Sequence, residues 1–172
     1  MKRIFASMLA LVLPTSCGQV DATTDVKEEF FSVRLPGQWT ALPRSEDQGL
    51  FIYESPELGE HLTVSIFMAT PPLGESEVEG TFEEFVRTRR QAEVTEDPTV
   101  VLMDTKVERP GVGVTGFFQG RSSADRFVGD YTIVNSAGIA NFYYEATKLP
   151  PQRFAERVLA ILGDLSFVTP EN

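Results

Sequence analysis

Few side chains in this 172-residue sequence suit nucleophilic or metal chemistry, since it has one cysteine, Cys17, and one histidine, His61. A Ser-His-Asp or Cys-His nucleophile needs a histidine base in hydrogen-bond reach. His61 stands at the polar start of an alternating run, and no G-x-S-x-G elbow occurs anywhere, so it is read as an exposed residue at a strand end. Zinc takes three or four His, Cys or acidic ligands, which this inventory does not supply. Acids are abundant, 25 in all, and Asp47, Glu54, Glu57 and Glu60 would suit calcium only if loops gathered them. Without EF-hand spacing they are read as a solvated acidic edge. A glycosidase-type carboxylate pair needs only that two acids meet in space, so a hydrolase stays open as an alternative. No phosphate loop, dinucleotide fingerprint or haem motif occurs, and neither a cofactor nor a metal is expected.

The aromatic residues are the other candidates: Trp39, Phe117, Phe118, Phe127, Tyr131, Phe142, Tyr143 and Tyr144. Neighbours on a strand point to opposite faces, so Tyr143 cannot share a side with Phe142 and Tyr144, nor Phe117 with Phe118. A sheet covered on both faces accommodates this as core, and that reading outweighs a ligand groove. Trp39, Tyr143 and Tyr144 are kept as the possible partner or ligand contacts. A small-ligand carrier would require them to line a pocket without filling it.

The elements that must position these residues follow from periodicity. Phe31, Val33 and Leu35 alternate with Ser32 and Arg34, and Pro36-Gly37 ends the run and delivers Trp39. Leu50 to Glu54 is a second strand, and His61 to Ala69 a third, with Leu62, Val64, Ile66 and Met68 toward the core. Residues 70–80 hold Pro71, Pro72, two glycines and three glutamates and are expected as an exposed, mobile loop. Thr81 and Glu84 form a capping-box pattern for a helix from Phe82 to about Val94, and Arg87, Arg89 and Arg90 suit the negative end of its dipole. Val100 to Val107 and Val112 to Phe118 are strands, and the glycines of the second suggest a bulge or a close approach. Arg126 to Val134 returns through Asn135-Ser136-Ala137-Gly138 as Ile139 to Ala146, the clearest hairpin. After Pro150-Pro151 a last helix carries Phe154, Val158, Ile161 and Leu162, with Leu159 beside the stripe and Gly163 as its C-cap.

The formal charge is −10, and −12 once Lys2 and Arg3 are set aside, so no basic surface serves nucleic acid or an anionic membrane. Met1-Lys2-Arg3 and the apolar Ile4 to Leu13 form a signal peptide, too short to span a bilayer. Leu13-Pro14-Thr15-Ser16-Cys17-Gly18 resembles a lipobox, with Pro14 where that pattern carries leucine. The resemblance implies lipidation of Cys17, and Gly18 implies sorting to the outer membrane. Ordinary cleavage after Ala22 is the alternative, giving a soluble periplasmic or secreted protein. Residues 1–16 are thus read as signal peptide, 17–29 as lipidated cysteine and flexible tether, 30–168 as one domain and 169–172 as tail.

Val33-Arg34-Leu35-Pro36-Gly37-Gln38-Trp39, Tyr53-Glu54-Ser55-Pro56, Leu62-Thr63-Val64-Ser65-Ile66, Thr81-Phe82-Glu83-Glu84-Phe85, Tyr143-Tyr144-Glu145-Ala146 and Ile161-Leu162-Gly163-Asp164-Leu165-Ser166-Phe167, in that order, resemble the Mog1p/PsbP-like superfamily. The resemblance implies an α+β fold, a central antiparallel sheet with helices packed on it as an α/β/α sandwich. It also implies a binding or accessory role, without catalytic residues to carry over. The expectation is a non-catalytic, lipid-anchored accessory protein on the periplasmic side of a bacterial envelope. Its partner would be an envelope protein, and its only membrane attachment the N-terminal lipid.

Overall fold

The computed structural model describes residues 23–43, 49–56, 58–103, 106–109, 113–123 and 125–167. The expected signal peptide, Cys17, the tail, Asp47 and Glu57 lie outside the described residues.

The strands are β1 (Thr23–Lys27), β2 (Phe31–Pro36), β3 (Thr40–Ala41), β4 (Leu50–Ser55), β5 (Glu60–Met68), β6 (Val101–Leu102), β7 (Lys106–Glu108), β8 (Val114–Arg121), β9 (Phe127–Asn135), β10 (Gly138–Ala146) and β11 (Ser166–Phe167). Two helices, α1 (Glu75–Glu96) and α2 (Pro151–Gly163), complete the fold. The main sheet runs β3-β4-β5-β10-β9-β8-β6, antiparallel throughout, with β7 also paired to β8. Its centre is the predicted hairpin, where Phe142 faces Tyr131 and Gly138 faces Asn135. Gly138 has φ +142°, and a Cβ there would lie 2.0 Å from the Phe67 carbonyl oxygen, so the turn accepts only glycine.

Alternation assigns the two faces. Along β5, Leu62, Val64 and Ile66 are buried while His61, Thr63 and Ser65 are half-buried, as the period predicts. The first face joins Leu62, Val64, Phe142 and Tyr144 to Phe154, Val158 and Ile161 of α2 and to Phe31, Val33 and Leu35 of β2. The other face presents Val114, Phe118 and Val134 to Val78, Phe82 and Val86 of α1. The helices thus cover opposite faces of a large antiparallel sheet, which is the expected fold class.

Several local expectations are corrected. β2, the first strand read from the sequence, lies outside the main sheet: it is the middle strand of a separate sheet, β1-β2-β11, lying over the main one beside α2. Part of the expected tether, Thr23–Lys27, is β1, because Val26 is buried opposite Val33 and Thr24 Oγ1 donates to the Gly37 carbonyl at 2.9 Å. The helix expected from Phe82 begins at Glu75: Glu77 accepts from the Gly74 N–H at 2.7 Å, and Glu75 and Glu77 complement the positive helix end. Glu84 instead pairs with Arg87, and the last turn holds no basic residue, so the arginines do not serve the dipole. The single strand expected over Val100 to Val107 is two pieces, β6 and β7, both on β8. In the final helix Gly163 is the last residue and Asp164 the cap.

Candidate functional site

The arginines of α1 turn inward. Arg89, Glu93 and Glu96 recur at i, i+4 and i+7 on the helix face above β9 and β10, whose Asp130, Thr132, Asn141, Tyr143 and Glu145 point the same way. Arg89 Nε donates to Asp130 Oδ2 at 3.1 Å. Thr132 Oγ1 and Asn141 Nδ2 donate to Asp130 Oδ1 at 3.1 and 2.7 Å, and Asn141 Nδ2 also reaches Thr132 Oγ1 at 3.0 Å. Burial pushes the Asp130 carboxyl above its ordinary range, and Arg89 and the two neutral donors oppose the shift.

One strand pair further along, Arg126 ties three groups together. Its Nη1 donates to Glu93 Oε1 at 2.7 Å, its Nη2 to the Tyr143 hydroxyl oxygen at 2.7 Å and its Nε to Glu145 Oε2 at 3.1 Å. Tyr143 in turn donates to Glu93 Oε2 at 2.7 Å, and the Arg89 guanidinium lies 4.9 Å above the Tyr143 ring. Burial and the Glu93 carboxylate push the Tyr143 phenol far above its usual range. Burial pulls Arg126 down, but its bonds to Glu93 and Glu145 and the Tyr143 oxygen win and hold it firmly cationic. Between α1 and the sheet these side chains, with Thr63, Ser65 and Ala92, line a polar hollow of about 250 Å³.

The opposite face carries a drier network. Glu60, expected on a solvated edge, is buried: Arg157 Nε and Nη2 donate to its two oxygens at 2.6 and 2.9 Å, and Tyr144 adds a bond of 2.7 Å. Burial, then Glu60, pushes the Tyr144 phenol upward, and the hydrogen bond to Glu60 pushes Arg157 upward. Beside α2 runs an apolar groove of about 710 Å³, lined by Val101, Met103, Phe127, Phe154 and Ala155 along the terminal strand β6. Val101 is 72% exposed and Met103 55%. Ala155 and Leu159 are one turn apart on α2, and Leu159, expected beside the buried stripe, is 68% exposed.

The three aromatic candidates are dispersed. Trp39 is buried, tilted against Tyr144 at 6.4 Å, and its Nε1 donates to the Pro36 carbonyl at 3.1 Å. Tyr144 is buried between Trp39 and Phe154. Tyr143 borders the polar hollow on the other face, while Tyr144 borders only a small apolar void of about 10 Å³ under α2. His61 is half-buried, with Nδ1 3.4 Å from Glu54 and Nε2 3.2 Å from Thr63 Oγ1. No group of three or more His, Cys, Asp or Glu able to hold a metal occurs among the described residues. Sequence reasoning missed Arg89, Glu93, Arg126, Asp130 and Asn141. The available signal was polar residues recurring every second position inside apolar central strands, Asp130 and Thr132 and then Asn141, Tyr143 and Glu145.

No family model matches this chain, and no curated protein matches it. A structure from Bacteroides thetaiotaomicron VPI-5482 overlaps 82% of this chain and 46% of its own at 11% identity, with a TM-score of 0.35, too low to carry an argument. The solution structure of cyanobacterial PsbP (CyanoP) from Synechocystis sp. PCC 6803 is similar over 89% of this chain and 98% of that chain, with 12% identity and a TM-score of 0.60. Two helices on opposite faces of one antiparallel sheet, together with that likeness, give this chain a PsbP-like fold.

Proposed function

We propose that this chain is an exported, non-catalytic accessory protein of the bacterial cell envelope, anchored through lipidated Cys17 on the periplasmic side, with the outer membrane as its membrane, and that it binds a protein partner there. The observation that carries the binding role is the apolar groove along β6. Exposed side chains of the size of Val101, Met103 and Leu159 beside one groove mark an interaction surface. The occupant is an apolar segment of an envelope protein, since the groove's lining is mostly apolar and β6 is a terminal strand.

A paired-carboxylate hydrolase has less support. Glu93 and Glu145 converge on one hollow, but Arg126 donates to both. A general acid or a nucleophile must be free to exchange its proton or attack, and that fork holds each carboxylate in place.

The test has two arms in the native envelope. Cys17→Ala should move the protein from the membrane to the soluble fraction, and the wild-type N-terminus should carry acyl mass. A mature chain beginning at Thr23 without that mass would end the anchor reading. A photocrosslinker at Met103 should give one discrete adduct that Val101→Asp abolishes, while a crosslinker at Glu83 on exposed α1 gives none. Equal labelling from both positions would remove the groove as the contact surface.

A further inference from the structure

Of the four methionines, Met1 and Met8 fall in the expected signal peptide, which leaves Met68 and Met103 in the domain. Both are exposed. Met103 lines the apolar groove, whereas Met68 ends β5 opposite Gly138 and takes no part in that lining. Backbone bonds on both sides fix where Met103 points: its N–H donates to the Gln119 carbonyl at 2.8 Å, and its carbonyl accepts from Arg90 Nη1 at 3.1 Å. Leu102, one position earlier, packs on the α1 cluster, so strand alternation sets Val101 and Met103 on the opposite, groove side. Met103 thus joins the apolar strip of Val101, Phe127, Phe154 and Ala155 while 55% of it stays open to a small oxidant.

The polar groups at the rim are engaged with one another. Thr99 Oγ1 donates to Asp97 Oδ1 at 2.6 Å and accepts from the Ser123 N–H at 3.2 Å. Arg121 pairs with Asp125 and stacks over the Phe127 ring, 5.2 Å from its centroid. A dipolar oxygen added to Met103 would compete with these bonds for a donor, and bonding it to the Gln119 amide would draw a second polar group into the same strip. Covering that oxygen with an apolar segment then costs the desolvation of a polar group.

We propose that Met103 is an oxidation switch of the groove, at which a hydroperoxide converts the thioether to the sulfoxide and so releases the apolar partner segment. The sulfur attacks one peroxide oxygen, an S–O bond forms as the O–O bond breaks, the sulfur gives up two electrons, and hydrogen peroxide departs as water. Methionine sulfoxide reductases restore the thioether. This switch rests on the groove being the partner's contact surface. The test places a photocrosslinker at Leu159, beside the groove, and treats isolated native envelopes with hydrogen peroxide until peptide mass spectrometry shows Met103 as sulfoxide. The adduct should fall at least about tenfold. Both epimer-specific reductases with dithiothreitol should bring it back. Met103→Leu should keep its adduct under the same peroxide, Met68→Leu should give no protection, and Met103→Gln should lose the adduct without any oxidant. The oxidised chain should melt as the reduced one does, because the residue is exposed. An adduct that persists after Met103 is oxidised overturns the switch and leaves the groove as the contact surface, whereas no adduct from untreated envelopes removes both. Resistance of Met103 to the peroxide, equal loss of adduct in Met103→Leu, or a fold lost on oxidation would also overturn the switch.

Discussion

Glu60 shows what one buried charge demands of its neighbours. Its carboxylate is closed off from water and satisfied by the Arg157 fork and the Tyr144 hydroxyl. Arg157→Ala leaves that charge with a single neutral donor and should cost about 3–5 kcal/mol, read as a lower urea midpoint with an unchanged slope. Trp39→Ala is expected to cost a similar 3–5 kcal/mol, because the indole is buried against Tyr144 and its N–H holds the Pro36 carbonyl. Asp130 adds a pH dependence of definite sign. Its folded-state pKa is raised above the 3.8 of the free side chain, so the folded state binds the proton more tightly than the unfolded state does. Its contribution to stability is therefore fully present below pH 3.8 and lost as pH rises through the raised folded value. Relative to Asp130→Asn, the wild type should lose stability across that window, and urea melts of both proteins from about pH 3 to pH 7 would show it. A constant difference between them would mean that Arg89 and the two neutral donors cancel the cost of burial.

Gly116 is where α1 meets the sheet. A Cβ at that position would lie 2.3 Å from Phe82 Cζ, and Phe82 is the buried aromatic of the α1 face. Gly116→Ala should lift the ring and destabilise the protein by about 1–3 kcal/mol, and adding Phe82→Leu should recover part of that loss, which a double-mutant cycle measures. The glycines of the Val112 to Phe118 run did signal a close approach in the sequence: a Cβ at Gly113 would lie 3.0 Å from the Val134 carbonyl oxygen, and at Gly116 the approaching group is the Phe82 ring. Elements with a clean period were legible in the same way: the alternation of β5, the β9–β10 turn and the Phe154, Val158, Ile161 stripe of α2. The start of α1 was hidden because Glu75, Glu77 and Glu79 look like loop composition until the helix dipole gives them a role, and Gly74 caps without a side chain of its own. The polar networks were hidden for another reason. Arg89 reaches Asp130 across 41 residues and Arg157 reaches Glu60 across 97, and such pairings exist only once the sheet order is fixed.

At the scale of the molecule, the two ends of the described chain meet on one strand. β2 pairs with β1 on one side and with β11 on the other, so the small sheet closes the domain over the core that α2 covers. β1 is thus part of the small sheet, ahead of Phe30. Thr24 Oγ1 donates to the Gly37 carbonyl and accepts from the Trp39 N–H at 3.1 Å, which fixes the turn ahead of the buried indole, while Val26 covers Val33. A chain beginning at Thr23 should melt like the full-length protein. One beginning at Glu28 should lose about 3 kcal/mol, from the burial of Val26 and two hydrogen bonds near 1 kcal/mol each. The proposed processing at Cys17 and the alternative cleavage after Ala22 would both leave β1 whole, so stability would not distinguish them and reach would. From Cys17 to Thr23 is six residues, at most about 20 Å of extended chain, and a lipid on Cys17 would hold the small sheet within that distance of the bilayer. A spin label on Ser166, an exposed residue of β11 at the edge of the small sheet, should then show strong relaxation from a headgroup-bound paramagnet in native membranes. Inserting about twenty Gly-Ser residues before Thr23 should abolish that relaxation while the melting temperature stays put, because the insertion lengthens the connection and leaves every strand pair intact.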